Sequence, residues 1–408
     1  MTTRILAAVG DVLIDRLKPS SAFDGILPVL ASADIVFGNF EGVLAENGRP
    51  APGMSTATIV SPENAGPLAI FDVMSLANNH AMDAGYEGLA ETIATLSGKG
   101  VRTVGAGPDI ETARRPTTLQ ADPGSEADAG GGGGGGRPAV AFIAMASVMV
   151  VGTQAGPATP GVAPLRAEDC YTAPFPGHLV PGAPAKVVSV LNEHDWAEVE
   201  ESVRAAKEGA DLVVVSVHWG DHTRPWVITE HERLCAELLV EAGADLVLGH
   251  HHHLLRGVQF IEETPVFFGL GHMVFDLPRQ AEELRARGAD PQELEPEALA
   301  EVFGEYGIYP RPGSPAAFPF HADARITAIA IVELEDTGIG RTGLVPCLID
   351  DDGTPQVVSR DHPRFGEVLA FLRTAMSKAG PGADLLDDGA VFAEQPLLVL
   401  RAQAVNGA

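Results

Sequence analysis

Four consecutive histidines, His250, His251, His252 and His253, stand immediately after the apolar run Asp245-Leu246-Val247-Leu248-Gly249. The run is too short for a helix of its own, and its leucine and valine content suits a buried strand. Gly249 lets the chain turn sharply out of the sheet. The histidines therefore fall just past the carboxyl end of a strand, the edge where open α/β sheets place their sites. Imidazole is the commonest metal-binding side chain, and two imidazoles one residue apart on a turn reach a common point. The bland alternative is a solvated polar turn. A lone histidine would favour it; four beside a buried strand favour metal.

A second run repeats the pattern. Asp211-Leu212-Val213-Val214-Val215-Ser216-Val217 leads straight into His218-Trp219-Gly220-Asp221-His222, with a helix-forming stretch between the two runs. Adjacent parallel strands that each deliver histidine at one edge are what a split metal site requires. Three N-terminal runs also break into polar residues. Residues 4–9 end in Gly10-Asp11, residues 34–37 in Gly38-Asn39-Phe40-Glu41-Gly42, and residues 71–76 in Ala77-Asn78-Asn79-His80, with Asp83 shortly after. Any one of these is ordinary turn chemistry. Five on one chain are not.

In order, Gly10-Asp11, Gly38-Asn39-Phe40-Glu41, Ser75 through Asp83, His218-Trp219-Gly220 and Gly249 through His253 resemble the motif series of the CapA family. That is the bacterial capsule or poly-γ-glutamate synthesis family, related to calcineurin-like metallophosphoesterases. The Asn-Asn-His-x-x-Asp and Gly-His-His-x-His elements are the specific ones; Gly-Asp alone says little. The resemblance implies an α/β fold of four layers, an αββα metallophosphoesterase-like sandwich of two mixed sheets flanked by helices. Three positions depart from the family: His252 replaces a proline, Phe40 a leucine, and Gly271-His272-Met273 a Gly-Asn-Phe segment.

A dinuclear hydrolase site holds two divalent cations about 3.5–4 Å apart, bridged by a carboxylate and a water or hydroxide. By resemblance, and by their places at strand ends, Asp11 supplies one end and Glu41 the bridge. Asn79, His218, His251 and His253 fill the remaining positions. Oxygen donors mixed with imidazole suit Mn, Zn or Fe. His80 reads as the proton donor to the leaving group. Asp83 either orients its imidazole or caps the helix that follows. Asn39, Arg224 and His272 are candidate substrate contacts, although a surface arginine is the commoner outcome for Arg224.

The implied activity is metal-dependent hydrolysis, with a metal-bound hydroxide attacking a phosphoester or a γ-glutamyl-type amide. The alternative is a non-catalytic or accessory component of poly-γ-glutamate or capsule polymer synthesis.

Composition narrows the partners. A formal charge of −28 argues against nucleic acid or an anionic membrane, because phosphate repels such a surface; salt adaptation or simple solvation explains the acidity equally well. The three cysteines, Cys170, Cys235 and Cys347, form neither a zinc motif nor a disulfide framework, which suits a reducing compartment. No run approaches the ~20 apolar residues of a membrane span, and the start of the chain lacks a secretory core, so a cytoplasmic enzyme is expected. Oligomeric state is left open.

The chain of 408 residues reads as a single domain, 1–408, with its core motifs in residues 4–276. Residues 86–99, 195–209 and 228–242 carry helical periodicity, the second with a capping-box-like start at Asp195. Residues 123–137 include a run of glycine, 130–136, and read as a flexible insertion; without a following Lys-Ser/Thr it is no phosphate-binding loop. Residues 279–320 read as a helical insertion followed by a loop rich in proline and aromatics. Strands within 325–402 are expected to complete the second sheet.

Overall fold

Valine- and leucine-rich runs become strands because both their faces are covered, and amphipathic stretches between them become the covering helices. The structure is a computed structural model and describes residues 3–54, 57–120, 137–175, 177–178, 180–276, 320 and 322–403. Apart from Arg137 and Phe320, the glycine-rich and helical insertions expected from sequence lie outside the described residues.

In chain order the main elements are β1 (Arg4–Leu13), β2 (Ile35–Phe40), β3 (Val73–Ser75), α1 (Gly85–Gly98), β4 (Arg102–Val104), β5 (Thr117–Leu119) and β6 (Val140–Ala146). Then come α2 (Glu193–Gly209), β7 (Leu212–His218), α3 (Glu230–Ala242), β8 (Leu246–His250), β9 (Val258–Ile261), β10 (Thr264–Phe267) and β11 (His272–Phe275). The C-terminal part adds β12 (Ile326–Glu335), β13 (Gly338–Ile349), β14 (Pro355–Val357), α4 (Phe365–Ala379), β15 (Ala383–Leu386) and β16 (Leu398–Ala402).

Two large sheets result. A ten-stranded sheet runs β15-β16-β13-β12-β1-β2-β3-β4, with β11 also paired to β1 and β14 to β13. A six-stranded sheet runs β9-β10-β8-β7-β6-β5. The parallel stretches β1-β2-β3 and β6-β7-β8 bring their carboxyl ends together: Asp11 sits opposite Asn39, Asn39 opposite Ser75, and His218 opposite His250. The C-terminal strands join the sheet of β1, antiparallel to it through β12, not the sheet of the histidine strands.

Period-two alternation along β6 shows where the core lies. Val140, Phe142, Ala144 and Ala146 pack with residues of the ten-stranded sheet; Ala141, Ile143 and Met145 pack with Val199 and Val203 of α2 and Leu239 of α3. Phe142 stacks on Phe37 of β2, ring centroids 5.5 Å apart. Burying such a side chain contributes roughly 1.5–3 kcal/mol, so Phe142→Ala is the single change that most directly loosens the two sheets.

Helix α2 begins two residues before the expected Asp195, because Asn192 rather than Asp195 is the cap. The Asn192 carboxamide oxygen accepts from the Asp195 backbone N–H at 3.0 Å. Asp195 itself turns inward and binds the Arg166 guanidinium at 2.6 and 2.9 Å. Among the described residues, no helix is long and apolar enough to cross a membrane.

Candidate metal centre

Two backbone devices bring the strand ends together. A β-carbon at Gly10 would lie 2.1 Å from the Gly271 carbonyl oxygen, so only glycine lets β1 run this close to the turn before β11. The next residue, Asp11, donates its backbone N–H to that same carbonyl at 3.0 Å, and the pairing of β1 shifts register around it. At the histidine turn, His251 and His253 hold φ of 96° and 53°, the left-handed region that non-glycine residues avoid at roughly 1–3 kcal/mol each. Alternate histidines then project differently.

Glu41 lies at the centre. Its Oε1 is 3.6 Å from His218 Nε2 and 3.7 Å from His253 Nε2. Asp11 Oδ2 is 3.5 Å from His253 Nδ1, and Asn79 Oδ1 is 2.6 Å from His218 Nε2. Two donor groups share the glutamate: Asp11, Glu41 and His253, and Glu41, His218 and His251, each with ligand atoms within 4.8 Å of one another. Donors about 2.0–2.2 Å from a common cation stand this close to each other.

Burial supplies the test of fit. Glu41 is wholly buried, yet among the described residues neither carboxylate oxygen has a hydrogen-bond donor within reach. A buried carboxylate left in that state is costly unless a cation meets it. Burial, with Asp11 and Asp83 nearby, raises the Glu41 carboxyl well above its ordinary range. Burial also disfavours the Asp11 carboxylate, but His250, His253 and His218 around it prevail and hold its pKa well below the usual value. Burial first, and mutual repulsion second, keep His251 neutral; burial likewise keeps His218 and His253 neutral despite Asp11. Neutral imidazole nitrogens beside carboxylates are a donor set for one or two divalent transition-metal ions.

The proton-transfer candidates stand beside this cluster. His80 Nδ1 is 2.8 Å from Asp83 Oδ2, an oxygen that also accepts from the Thr58 backbone N–H at 2.6 Å and the Thr58 hydroxyl at 3.1 Å. Asp83 does not cap α1, which has Ala84 at its cap position and no side-chain cap bond; its carboxylate lies against His80 instead.

The three candidate substrate contacts stand otherwise than at an open mouth. Asn39 is fully buried and donates its Nδ2 to Asp11 Oδ1 at 2.8 Å, so it faces a candidate ligand. Arg224 donates Nε to Asp221 Oδ2 and is 61% exposed. His272 is enclosed among His253, Phe275 and Phe320, and burial lowers its pKa to about 4.

Sequence reasoning gave no role to several neighbours. His222 Nδ1 lies 3.0 Å from His251 Nε2. His250 Nδ1 lies 3.3 Å from Asp11 Oδ1. His252 turns away and pairs with Glu232 at 3.0 Å, both wholly enclosed. The other Glu232 oxygen accepts from the Thr229 N–H and hydroxyl, closing the capping box of α3. The Thr-x-x-Glu spacing was the legible signal for that cap; nothing in the sequence announced its second partner.

Residues 5–277 match the family model described as bacterial capsule synthesis protein PGA_cap. The chain belongs to that family. PGA_cap relatives with curated names include an uncharacterised protein, y4sH, of Sinorhizobium fredii, 28% identical over 73% of each chain. The PGA biosynthesis protein CapA of Bacillus subtilis is 27% identical over 66% of this chain and 62% of its own length. A Mycobacterium tuberculosis protein named "Probable polyglutamine synthesis accessory protein" is 29% identical over 60% of this chain and 56% of its own.

Proposed function

We propose that this PGA_cap protein is a metal-dependent hydrolase of the metallophosphoesterase type, cleaving a phosphoester or a γ-glutamyl-type amide. One observation carries the reading: a buried glutamate, Glu41, whose oxygens meet no hydrogen-bond donor among the described residues, shared by two groups of metal-type donors. Two facing sheets, with helices packed on the outer face of one, support a layered α/β fold; the four-layer sandwich of calcineurin-like phosphoesterases is the form this reading takes.

Two divalent cations, when bound, would supply Lewis-acid polarisation of the scissile group and an activated water at neutral pH. Asp11, Glu41, Asn79, His218, His251 and His253 are the residues to hold them. The imidazoles contribute as neutral donors because burial denies them a proton. Asp83 accepts the Nδ1 proton of His80 and so fixes the tautomer and ring plane. The opposite nitrogen, Nε2, is then the one to carry a proton to the leaving group. Thr58 donates twice to the same Asp83 oxygen and keeps that carboxyl from swinging away.

The names of the relatives point to capsule or PGA polymer as the biological setting, and an amide-bonded glutamyl chain is the substrate class this suggests. The word "accessory" in one of those names favours a second reading, a polymer-synthesis component without turnover of its own. Elemental analysis of purified protein, followed by a turnover screen of phosphoesters and γ-glutamyl amides with Mn, separates the two. Bound metal with turnover supports the hydrolase; bound metal without turnover of either class favours the accessory reading. Absence of bound metal after loading with Mn or Zn would overturn the proposed centre.

A further inference from the structure

The candidate ligand Asp11 lies in β1 and the candidate acid His80 on the turn after β3, yet an unbroken line of buried side-chain amides joins them. The His80 backbone N–H donates to Asn78 Oδ1 at 3.0 Å. Asn78 Nδ2 donates to Asn39 Oδ1 at 3.1 Å and to the Phe40 carbonyl at 2.8 Å. Asn39 Nδ2 in turn donates to Asp11 Oδ1 at 2.8 Å. Asn39 and Asn78 are 0% and 1% exposed, so water takes no part in choosing their orientation.

The direction of this line is forced from both ends. A carboxamide can present either its oxygen or its nitrogen to a neighbour, and the surrounding network decides which. The His80 N–H can only donate, so Asn78 must turn its oxygen toward it. The Phe40 carbonyl can only accept, which turns the Asn78 nitrogen the other way. Asn39 must then offer its oxygen to Asn78 and its nitrogen to Asp11, whose ionised carboxylate only accepts. No amide can flip without breaking bonds at both of its ends.

The consequence falls on Asp11. Its Oδ1 takes the Asn39 donor and lies beside His250 Nδ1 at 3.3 Å, while Oδ2 lies near His253 Nδ1 at 3.5 Å and receives the His251 backbone N–H at 3.3 Å. Oδ1 is thereby held by the short Asn39 bond, while Oδ2, which takes only the longer His251 N–H bond, faces the histidine turn.

We propose that Asn78 and Asn39 are positioning residues, a polarised amide relay that makes Asp11 a one-oxygen ligand and fixes the His80 loop in the same act. The proposal rests on the metal-centre reading. It adds that the two ends of the site are set together, so a change at Asn78, which is not itself a candidate ligand, is felt at the metal.

The test uses the full chain loaded with Co²⁺ or Zn²⁺, comparing wild type with Asn78→Ala, Asn39→Ala and the near-isosteric Asn78→Asp. Partners that orient a ligand typically change metal affinity by about 10–100-fold when removed. All three variants are expected to lose about tenfold or more in Zn²⁺ affinity by competition titration, and to alter the visible spectrum of bound Co²⁺. Asn78→Asp keeps the acceptor for the His80 N–H but removes the donor to Asn39. Its spectrum should therefore change while its shape and volume remain nearly native. A residue with a merely structural role would lower the melting temperature and leave the Co²⁺ spectrum as in wild type. That result in Asn39→Ala and Asn78→Asp overturns the relay while leaving the metal centre standing. A wild-type protein that takes up neither ion overturns the metal centre itself, and the relay with it. Should Asn78→Ala not fold, the Asn78→Asp spectrum decides.

Discussion

The carboxyl edges of the two large sheets meet at one cluster and bring opposite chemistry to it. Asp11 lies in β1, and Glu41 and Asn79 follow β2 and β3 of the ten-stranded sheet, and all offer oxygen; His218, His251 and His253 come from β7 and the turn after β8 of the six-stranded sheet, and all offer nitrogen. The oxygen edge is electrostatically discontented: two buried carboxylates face each other, and one is pushed toward its protonated form. The nitrogen edge is quiet, because burial has already removed its charge. Neither edge alone is a metal site. The oxygen edge lacks soft donors and repels itself, and the nitrogen edge lacks the negative charge that would draw a divalent cation into a buried position.

This contrast can be broken most severely from the nitrogen side. His251→Ala and His253→Ala each remove a candidate donor, so the expected content of about two metal ions per chain should fall sharply and turnover with it. Elemental analysis alongside activity checks this; wild-type activity in rigorously metal-free protein would sink the reading. Next in size is the separation of ligand from acid on the oxygen side. His80→Ala should keep its metals and lose roughly 10²–10⁴-fold in turnover, the loss shrinking for nitrophenolate leaving groups that need no proton. Asn79→Ala should weaken metal binding and slow every substrate alike. Equal slowing of both substrate types by His80→Ala, with loss of metal, would make His80 a ligand.

A smaller effect sharpens the contrast through its sign. In metal-free protein Glu41→Gln removes one of two repelling buried carboxylates and should raise stability by about 1 kcal/mol or more. The metal-loaded protein should instead be destabilised by the same change, because the cation's attraction is lost. Paired thermal melts with and without Zn²⁺ read both signs, and destabilisation in both states would mean that Glu41 has partners other than a cation. The smallest effect is expected from the glycine run. Deleting residues 130–136 should leave activity and stability nearly unchanged, since loop-closure entropy varies only weakly with length. A large activity loss would place the glycine run at the site.

The strands and their ends were legible because the signals are local. Runs such as residues 212–217 are apolar on both faces, and the glycine or polar residue that ends each one marks the exit. The convergence of Asp11, Glu41, Asn79, His218, His251 and His253 was legible only through the order of the motifs, which is how a family is recognised. The roles of the neighbours were not legible. Asn39 looked like a substrate contact because it lies at a strand end. Only its register opposite Asp11 shows that its amide is spent on a ligand. Arg224 looked available by proximity to His218, but Asp221, three residues before it, holds it at the surface. The start of α2 was misplaced by two residues because Asn192 and Asp195 are both good caps, and the choice turned on Arg166 claiming Asp195.

The sequence by itself determined that parallel strands end in metal-type donors, that helices cover them, and which side chains are candidates for the site. These follow from periodicity, turn residues and donor type, all properties of a short stretch of chain. Tertiary structure alone decided which donors share Glu41, which of four successive histidines face the cluster, and which oxygen of Asp11 is left to it. Those choices depend on contacts between residues far apart in the chain, such as the His251 N–H on Asp11, 240 positions away. A backbone turn with two left-handed residues and a pair of amides locked from both ends settle them, and neither leaves a trace in local composition.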